Sequence, residues 1–498
     1  MKKEIVVVGA GIAGIATALR LTAKGYEVRV YEANAYPGGK LSAFQKGEYR
    51  FDAGPSLFTM PHFVDELFRL FDENPRDYFN YTRKSIACKY FWEDGVQLNA
   101  YADTSTYLEE VENKLGVSKQ QLKDYLNKAK KKYDLTAGLF LEKSLHQLNT
   151  YLSFDTVKAL IQLPFFQLNT SLDQVNKREL KEPHLVQFYN RFATYNGSSP
   201  YQTPGMMTLI QHLESHYGTF VPHGGMVQIT NTLVDLAGRH GVEFNYNRKV
   251  KEICYQKNKV RGLIVDGEFI SADAVVSNMD VYPTYRKLMP RAKAPEKTLA
   301  QERSSSAVIF YWGMKTTFPT LDLHNIFFSK DYQAEFSALF KEKKVFDDPT
   351  IYVNITSKDV PTDAPDGGEN WFVMVNTPAD HGQNWDKIVQ QLRLQVIEKL
   401  ERQLNRSIRQ HIEVEEVLTP ALIQAKTQSH LGALYGASSN NKMAAFLRHP
   451  NFSRQFKNLY FCGGSVHPGG GIPLCLLSAK IVSDQFVAQN EQQPAHYV

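Results

Sequence analysis

The stretch Glu4–Glu32, EIVVVGAGIAGIATALRLTAKGYEVRVYE, constrains the fold more than any other part of the chain. Four apolar β-branched residues, Ile5 to Val8, run into Gly9-Ala10-Gly11-Ile12-Ala13-Gly14. An amphipathic helix follows to about Lys24, and a second strand, Val28–Tyr31, ends on Glu32. Gly9 permits the tight turn, Gly11 lets the backbone approach a pyrophosphate, and Gly14 lets helix and strand pack closely. Free N–H groups and the positive end of the helix dipole then face the phosphates. Glu32 stands where a carboxylate accepts hydrogen bonds from a ribose. The spacing predicts a dinucleotide site in a parallel α/β sheet.

A second glycine-rich strand–turn–helix lies near the other end. Leu459-Tyr460-Phe461-Cys462-Gly463-Gly464-Ser465 leads into His467-Pro468-Gly469-Gly470-Gly471-Ile472-Pro473 and then the helix Leu474–Ala488. Glycines at a helix N-terminus mark a place where backbone N–H groups meet an anion or an electron-rich ring. Two such turns on one chain suit FAD better than NAD, because a flavin needs protein around its ring and ribityl chain. Between them, Pro37-Gly38-Gly39-Lys40-Leu41 offers a small backbone under ribose and phosphates, and Phe51-Asp52-Ala53-Gly54-Pro55-Ser56 another against a ring system. Ala272–Asn278 returns a buried strand to the nucleotide unit, after a β-meander of Val242–Tyr246, Val250–Tyr255, Val260–Val265 and Glu268–Ile270 turning at Lys257-Asn258 and Asp266-Gly267.

The middle of the chain is different. Val111–Lys132 is expected as one charged amphipathic helix with Lys128, Lys130, Lys131 and Lys132 near its end. Leu135–Phe166 is dense in Leu and Phe. A basic flank beside a broad apolar face is the pattern of an interfacial helix, and also of a domain core with a solvated lysine face. Phe188–Tyr201 is rich in aromatic residues and includes Arg191. Residues 290–415 alternate strands (Ala307–Gly313, Thr350–Ile355, Trp371–Asn376) with a polar helix, Trp385–Leu404, as in an open sheet with helices on one side. The fold class expected is therefore α/β: a Rossmann-like FAD-binding domain (1–90, 222–285 and 416–498) interwoven with a mixed-sheet substrate domain (286–415 with parts of 91–221) and a helical, membrane-contacting insert (91–221).

Charge and cysteine content exclude several classes. With 57 basic against 52 acidic residues the net charge is only +5, which implies no nucleic-acid partner. Cys88, Cys254, Cys462 and Cys475 form no CxxC or Cys/His cluster, so neither disulfides nor a metal site is expected. No run of about 18 apolar residues is present and the start of the chain is taken up by the nucleotide motif. The expected location is cytoplasmic, peripheral at the inner face of the membrane.

On VVVGAGIAG with Glu32, PGGKLS, FDAGPS, ADAVVSN and NLYFCGGSVHPGGGIPLCLLSAK, the chain resembles the carotenoid desaturases of the bacterial phytoene-desaturase type, within the amine-oxidase-like flavoproteins. The resemblance runs along essentially the whole length. It implies FAD contacts at Gly9, Gly11, Ile12, Ala13, Gly14, Glu32, Ala33, Gly39, Lys40, Leu41, Gly54, Pro55, Ser56 and Asn278, and adenine contact near Val250. Gly463, Gly464, Gly471 and Ile472 would lie along the ribityl chain and ring. Phytoene desaturases themselves tend toward GAGTHPGAGIPG. Gly463-Gly464-Ser465-Val466 and Pro473-Leu474-Cys475-Leu476-Leu477 depart from that and, with Arg191–Tyr201, look more like the hydroxycarotenoid 3,4-desaturase subgroup.

What the resemblance implies is desaturation of a long polyene, by hydride loss to FAD from an allylic carbon and proton loss from its neighbour. The alternatives are a phytoene- or lycopene-type desaturase, a flavin amine oxidase acting on a small polar substrate, and a prenyl-lipid carrier of the same fold. His467 is the one titratable group in the flavin-flanking turn, structural or catalytic. A substrate about as long as the bilayer core, about 30 Å, is expected to enter from the membrane, with Phe165, Phe166, Phe192, Tyr195 and Tyr201 as candidate walls. The sequence names no electron acceptor.

Overall fold

A computed structural model describes residues 2–136, 146, 166–441 and 448–491. Phe165 and most of the Leu- and Phe-rich run lie outside the described residues.

The first strand, Glu4–Val8, is central in an all-parallel five-stranded sheet ordered Leu459–Phe461, Ala274–Ser277, Glu4–Val8, Glu27–Tyr31, Glu243–Asn245. A parallel sheet is buried on both faces, hence the unbroken apolar run. Ile5 and Val7 pack toward the helices Ile12–Ala23, Val227–Arg239 and Ile472–Glu491, while Val6 and Val8 pack toward the meander. Three of the four expected meander strands, Val250–Gln256, Lys259–Val265 and Glu268–Ser271, form an antiparallel sheet that turns at the two expected places, whereas the first, Glu243–Asn245, pairs in parallel with Glu27–Tyr31 and belongs to the nucleotide sheet. The returning strand Ala274–Ser277 pairs with both ends of the chain, so residues far apart in sequence meet at one sheet edge.

A mixed seven-stranded sheet stands beside it, ordered Ile412–Leu418, Ser306–Met314, Glu369–Thr377, Ile351–Asn354, His324–Phe327, Ile86–Phe91, Gln97–Tyr101. Ile86–Phe91 runs across residue 90 and Ile412–Leu418 across residue 416, so both of those expected boundaries fall within strands of this sheet. Its strands alternate between two cores. Val308, Phe310, Trp312 and Met314 face the helix Trp385–Leu404, which buries Leu392, Val396, Ile397 and Leu400 against them. Ala307, Ile309 and Tyr311 face the opposite way, toward the insert.

The insert corrects the expected single helix over Val111–Lys132. Two helices are present, Thr104–Leu115 and Lys119–Thr136, parted at Gly116, whose φ of 68° ends the first in a left-handed cap. The lysine cluster is not one solvated face. Lys128 pairs with Glu179 and Lys130 with Asp134. Lys132 is buried, donating to Gln167 Oε1, Gly205 O and Thr208 Oγ1, and burial lowers its pKa to about 8. No described helix is long and apolar enough to cross a membrane.

Candidate active site

The two sheets meet around one cavity of about 1320 Å³. Ordinary small-molecule sites occupy about 300–1,000 Å³, so there is room for a cofactor and a second ligand. One end is formed by backbone. The helix Ile12–Ala23 begins at Gly11 with no side-chain cap and no acidic residue in its first turn, which leaves its N-terminal N–H groups for an anion. A Cβ on Gly14 would lie 2.3 Å from the Gly9 carbonyl oxygen, so only glycine lets the helix start this close to the strand. A Cβ on Gly11 would lie 2.5 Å from Asn278 Nδ2, and Gly39 faces the Gly11 Cα. The second glycine turn delivers another helix start, Ile472, to the same cavity.

Among the residues expected around the cofactor, Gly9, Gly11, Ile12, Ala13, Glu32, Ala33, Gly39, Lys40, Leu41, Gly54, Pro55, Ser56, Val250, Asn278, Gly463, Gly464, Gly471 and Ile472 line this cavity. Gly14 does not, because its place is the helix–strand contact. The Glu32 carboxylate is fixed by the N–H of Ala10 at 2.8 Å and by the backbone and side-chain nitrogens of Asn34 at 2.8 and 2.9 Å. One lone pair of Oε2 stays open for a ribose hydroxyl. Lys40 Nζ donates to the carbonyls of Ala433 and Leu434, and burial lowers its pKa to about 8 against the opposing pull of Asp280. Arg448 also lines the cavity and donates to the Tyr435 and Gly464 carbonyls; burial depresses its pKa to about 10, with Arg303 adding to the effect. An uncapped helix start, a second helix start, a fixed carboxylate, a buried Arg448 and a half-buried Lys40 fit an anionic dinucleotide with an extended ring system.

His467 lines the cavity and is buried, its N–H donating to His449 O and its carbonyl accepting from Asn451 Nδ2. Of the expected walls, Tyr195 lines the cavity. Phe166 and Phe192 are core residues, and Tyr201 packs on Phe336 and under Lys177. Pro183–Asn190 and Arg191–Asn196 carry Phe188, Tyr189 and Phe192 into the core; Tyr195, on the same face as Phe188 and Phe192, packs on that core as well and reaches the cavity together with Arg191 and Thr194. Phe165 lies outside the described residues.

The seven-stranded sheet supplies walls that sequence reasoning missed: Ile309, Tyr311, Ile326, Tyr352, Phe372 and Met374. For all but Ile326 the signal was period-2 alternation within expected strands; Ile326 lies on His324–Phe327, a strand the sequence reading did not include. The Tyr311 hydroxyl is satisfied within this wall, donating to Ala53 O at 2.7 Å. A polar group sits among these walls. Arg191 Nη1 donates to Tyr90 Oη at 2.9 Å and to Tyr195 Oη at 3.2 Å, and the Tyr195 hydroxyl donates to Glu214. Burial pushes the Glu214 carboxyl up, with Arg191 opposing.

The profile of the flavin-containing amine oxidoreductases matches residues 12–486. The chain is 55% identical over 482 residues to the 1-hydroxycarotenoid 3,4-desaturase of Flavobacterium sp., covering 97% of this chain and 98% of that one. It is 35% identical over 496 residues to the 4,4'-diapolycopene oxygenase of Methylomonas sp., covering 98% of each. Among solved structures, putrescine oxidase with bound putrescine superposes with a TM-score of 0.63 at 13% identity, covering 99% of this chain and 100% of that one. An oxidoreductase from Methanosarcina mazei does so with a TM-score of 0.62 at 15% identity, covering 97% and 100%. The cradle of glycine turns and helix starts thus coincides with a family match over nearly the whole chain: the protein belongs to the flavin-containing amine oxidoreductases, with FAD as its cofactor.

Proposed function

We propose that this chain is a carotenoid desaturase that introduces the 3,4 double bond into a 1-hydroxycarotenoid. The observation that carries the reading is a single cavity joining the nucleotide cradle to a chamber walled by Ile309, Ile326, Phe372 and Met374, which suits a hydrocarbon laid against a flavin ring. The 55% identity to a desaturase of that specificity supports it. The reading assigns FAD holding to 1–90, 222–285 and 416–498, less the strand ends 86–90 and 416–418 that belong to the seven-stranded sheet, substrate access to 91–221, and the substrate wall to 286–415 with those strand ends.

When bound, FAD supplies a two-electron acceptor for the hydride of an allylic carbon. The companion proton would leave the adjacent carbon, so that hydride and proton together take FAD to its two-hydrogen reduced form, and charge spread along the polyene would ease both losses. The protein's part is position and dryness. Gly9, Gly11 and Ile12 receive the pyrophosphate, Glu32 the adenosine ribose, and Gly463, Gly464 and Gly471 the ring end. His467 is read as a positioning residue of this turn, its N–H and carbonyl tied to His449 and Asn451. The walls exclude water from the reacting carbons. The substrate's hydrophobicity and the sequence of Leu135–Phe166 support pick-up from the inner face of the membrane, although paired Lys128 and Lys130 contribute little net positive charge.

The test is expression in bacteria that accumulate different acyclic carotenoids with and without a 1-hydroxyl group, followed by pigment analysis. Conversion of the 1-hydroxy pigment to its 3,4-didehydro product is expected. Conversion of phytoene, an oxygenated 4,4' product, or no product from holoenzyme carrying FAD would overturn the assignment. Changing Leu139-Phe140-Leu141 to serines is expected to reduce flotation with anionic liposomes while FAD content holds.

A further inference from the structure

Within the apolar chamber one buried donor has nothing to donate to. His324, on the strand His324–Phe327, is 3% exposed and lines the cavity. Its Nδ1 lies 2.7 Å from Tyr352 Oη and 3.2 Å from Asn354 Nδ2. An amide nitrogen can only donate, so Nδ1 accepts, and the proton of the neutral ring resides on Nε2. Ser56 Oγ lies 2.7 Å from Tyr352 Oη, which completes a directed chain: Ser56 donates to Tyr352, and Tyr352 donates to Nδ1. Nε2 has no hydrogen-bond partner.

A buried donor without an acceptor is costly, and native proteins seldom keep one without a use. The ring does not relieve the cost by changing charge. Burial, reinforced by Arg191 and Lys84, lowers its pKa to about 3, so it stays a neutral donor across the physiological range. The neighbouring polar groups do not relieve it either, since Arg191, Tyr90, Tyr195 and Glu214 are engaged with one another.

We propose that His324 Nε2–H is the group that reads the oxygen of the substrate's 1-hydroxyl. This rests on the functional reading above and deepens it. A hydroxyl on carbon 1 stands one carbon away from the bond that is oxidised, so its reader must sit at the reacting end of the chamber. The chain that orients His324 begins at Ser56, in the turn expected against the flavin ring, which places the reader there. A chamber that lacks an oxygen to fill this donor's vacancy binds the hydrocarbon end less well, which turns one unpaired N–H into a specificity determinant.

The test compares purified, FAD-loaded wild type with His324→Phe, His324→Leu and His324→Gln. The readouts are kcat/KM and, independently, binding by the shift of the carotenoid absorption band, each for a 1-hydroxy acyclic carotenoid and for the same polyene lacking the hydroxyl. The preference for the hydroxylated polyene is expected to fall about 10- to 100-fold in the Phe and Leu variants, the range for loss of one buried hydrogen bond. Gln, which carries a donor at nearly the position of Nε2, is expected to recover part of it. An unchanged preference, an equal loss on both polyenes, or loss of bound FAD in both apolar variants would overturn the proposal. If wild type oxidises neither polyene the functional reading fails by itself, while the binding preference still decides the role of His324.

Discussion

Gly11 and Gly14 are close in sequence, belong to one motif, and are expected to fail in different ways when changed to alanine. At Gly14 the new Cβ meets the Gly9 carbonyl at 2.3 Å, and backbone at the end of a central strand cannot step aside. The helix must lift from the sheet. Overpacking costs about 1–3 kcal/mol, more against backbone, while alanine in a helix returns about 1 kcal/mol of intrinsic propensity. A net loss of about 2 kcal/mol is expected, visible in the apoprotein as a melting temperature lower by a few degrees. At Gly11 the obstacle is the Asn278 amide at 2.5 Å, a side chain held by two long, weak hydrogen bonds, 3.4 Å to Gly9 O and 3.6 Å from Cys462 Sγ. It can swing, so the apoprotein should keep its stability to within about 1 kcal/mol. Gly11 and Asn278 both line the cavity, however, and Gly14 does not. Loss of one charge-assisted contact to the pyrophosphate, about 1.5–3 kcal/mol, weakens FAD binding about 10- to 100-fold in Gly11→Ala. Melting of the apoprotein and titration with FAD separate the two effects. If Gly11→Ala loses as much apoprotein stability as Gly14→Ala, or if Gly14→Ala melts with wild type, the division between packing glycine and phosphate glycine is wrong.

Two further outcomes concern buried charge. Burial lowers the pKa of His324 to about 3 and of His449 to about 4, against about 6.5 in an unfolded chain. The folded values are the lower ones, so the unfolded chain binds more protons in between; stability is full above pH 6.5 and drains as pH falls toward 4 and then 3. At pH 5 each site accounts for about 2 kcal/mol, and urea titrations at pH 7.5 and pH 5 should differ by up to about 4 kcal/mol; a flat profile would contradict the burial of both rings. Arg50 bonds Asp52 at 2.8 Å and Asp363 at 3.0 Å, and Asp52 also accepts from the N–H groups of Met226 and Val227. Arg50→Met leaves two buried carboxylates without their cation and should cost about 3–5 kcal/mol in thermal unfolding, whereas a loss under 1 kcal/mol would mean that the carboxylates simply protonate.

The cofactor half of the site was legible because it is built from backbone. A pyrophosphate held by N–H groups needs the absence of side chains, and absence writes itself into the sequence as glycine at fixed intervals. Gly9, Gly11, Gly39, Gly54, Gly463 and Gly471 were therefore readable, as were the strands that carry them. The break at Gly116 was not, because the lysine-rich run on either side keeps a helical pattern through it. Lys132 was misread for a related reason: a lysine that fills a buried nest of acceptors looks like its solvated neighbours until the opposing helix is in place.

The substrate half is written in side chains, and there the same residue type serves core and cavity alike. Phe188, Phe192 and Tyr195 share one helical face, and only the position of the seven-stranded sheet decides that the first two end in the core while Tyr195 also reaches the chamber. His324 and Tyr352 come from different strands and meet across a register fixed by backbone pairing, His324 opposite Asn354. No local pattern can announce such a meeting. Yet the two halves are not independent. Ser56 belongs to a turn chosen for its small residues, and its hydroxyl is the first donor in the chain that fixes the tautomer of His324. On the proposal above, the turn expected against the ring would thus also aim the donor that reads the substrate. Ser56→Ala should therefore keep FAD affinity, since the backbone of the turn is unchanged, but loosen discrimination at the far end of the chain. If discrimination and FAD affinity fall together, the hydroxyl serves the flavin and not the histidine.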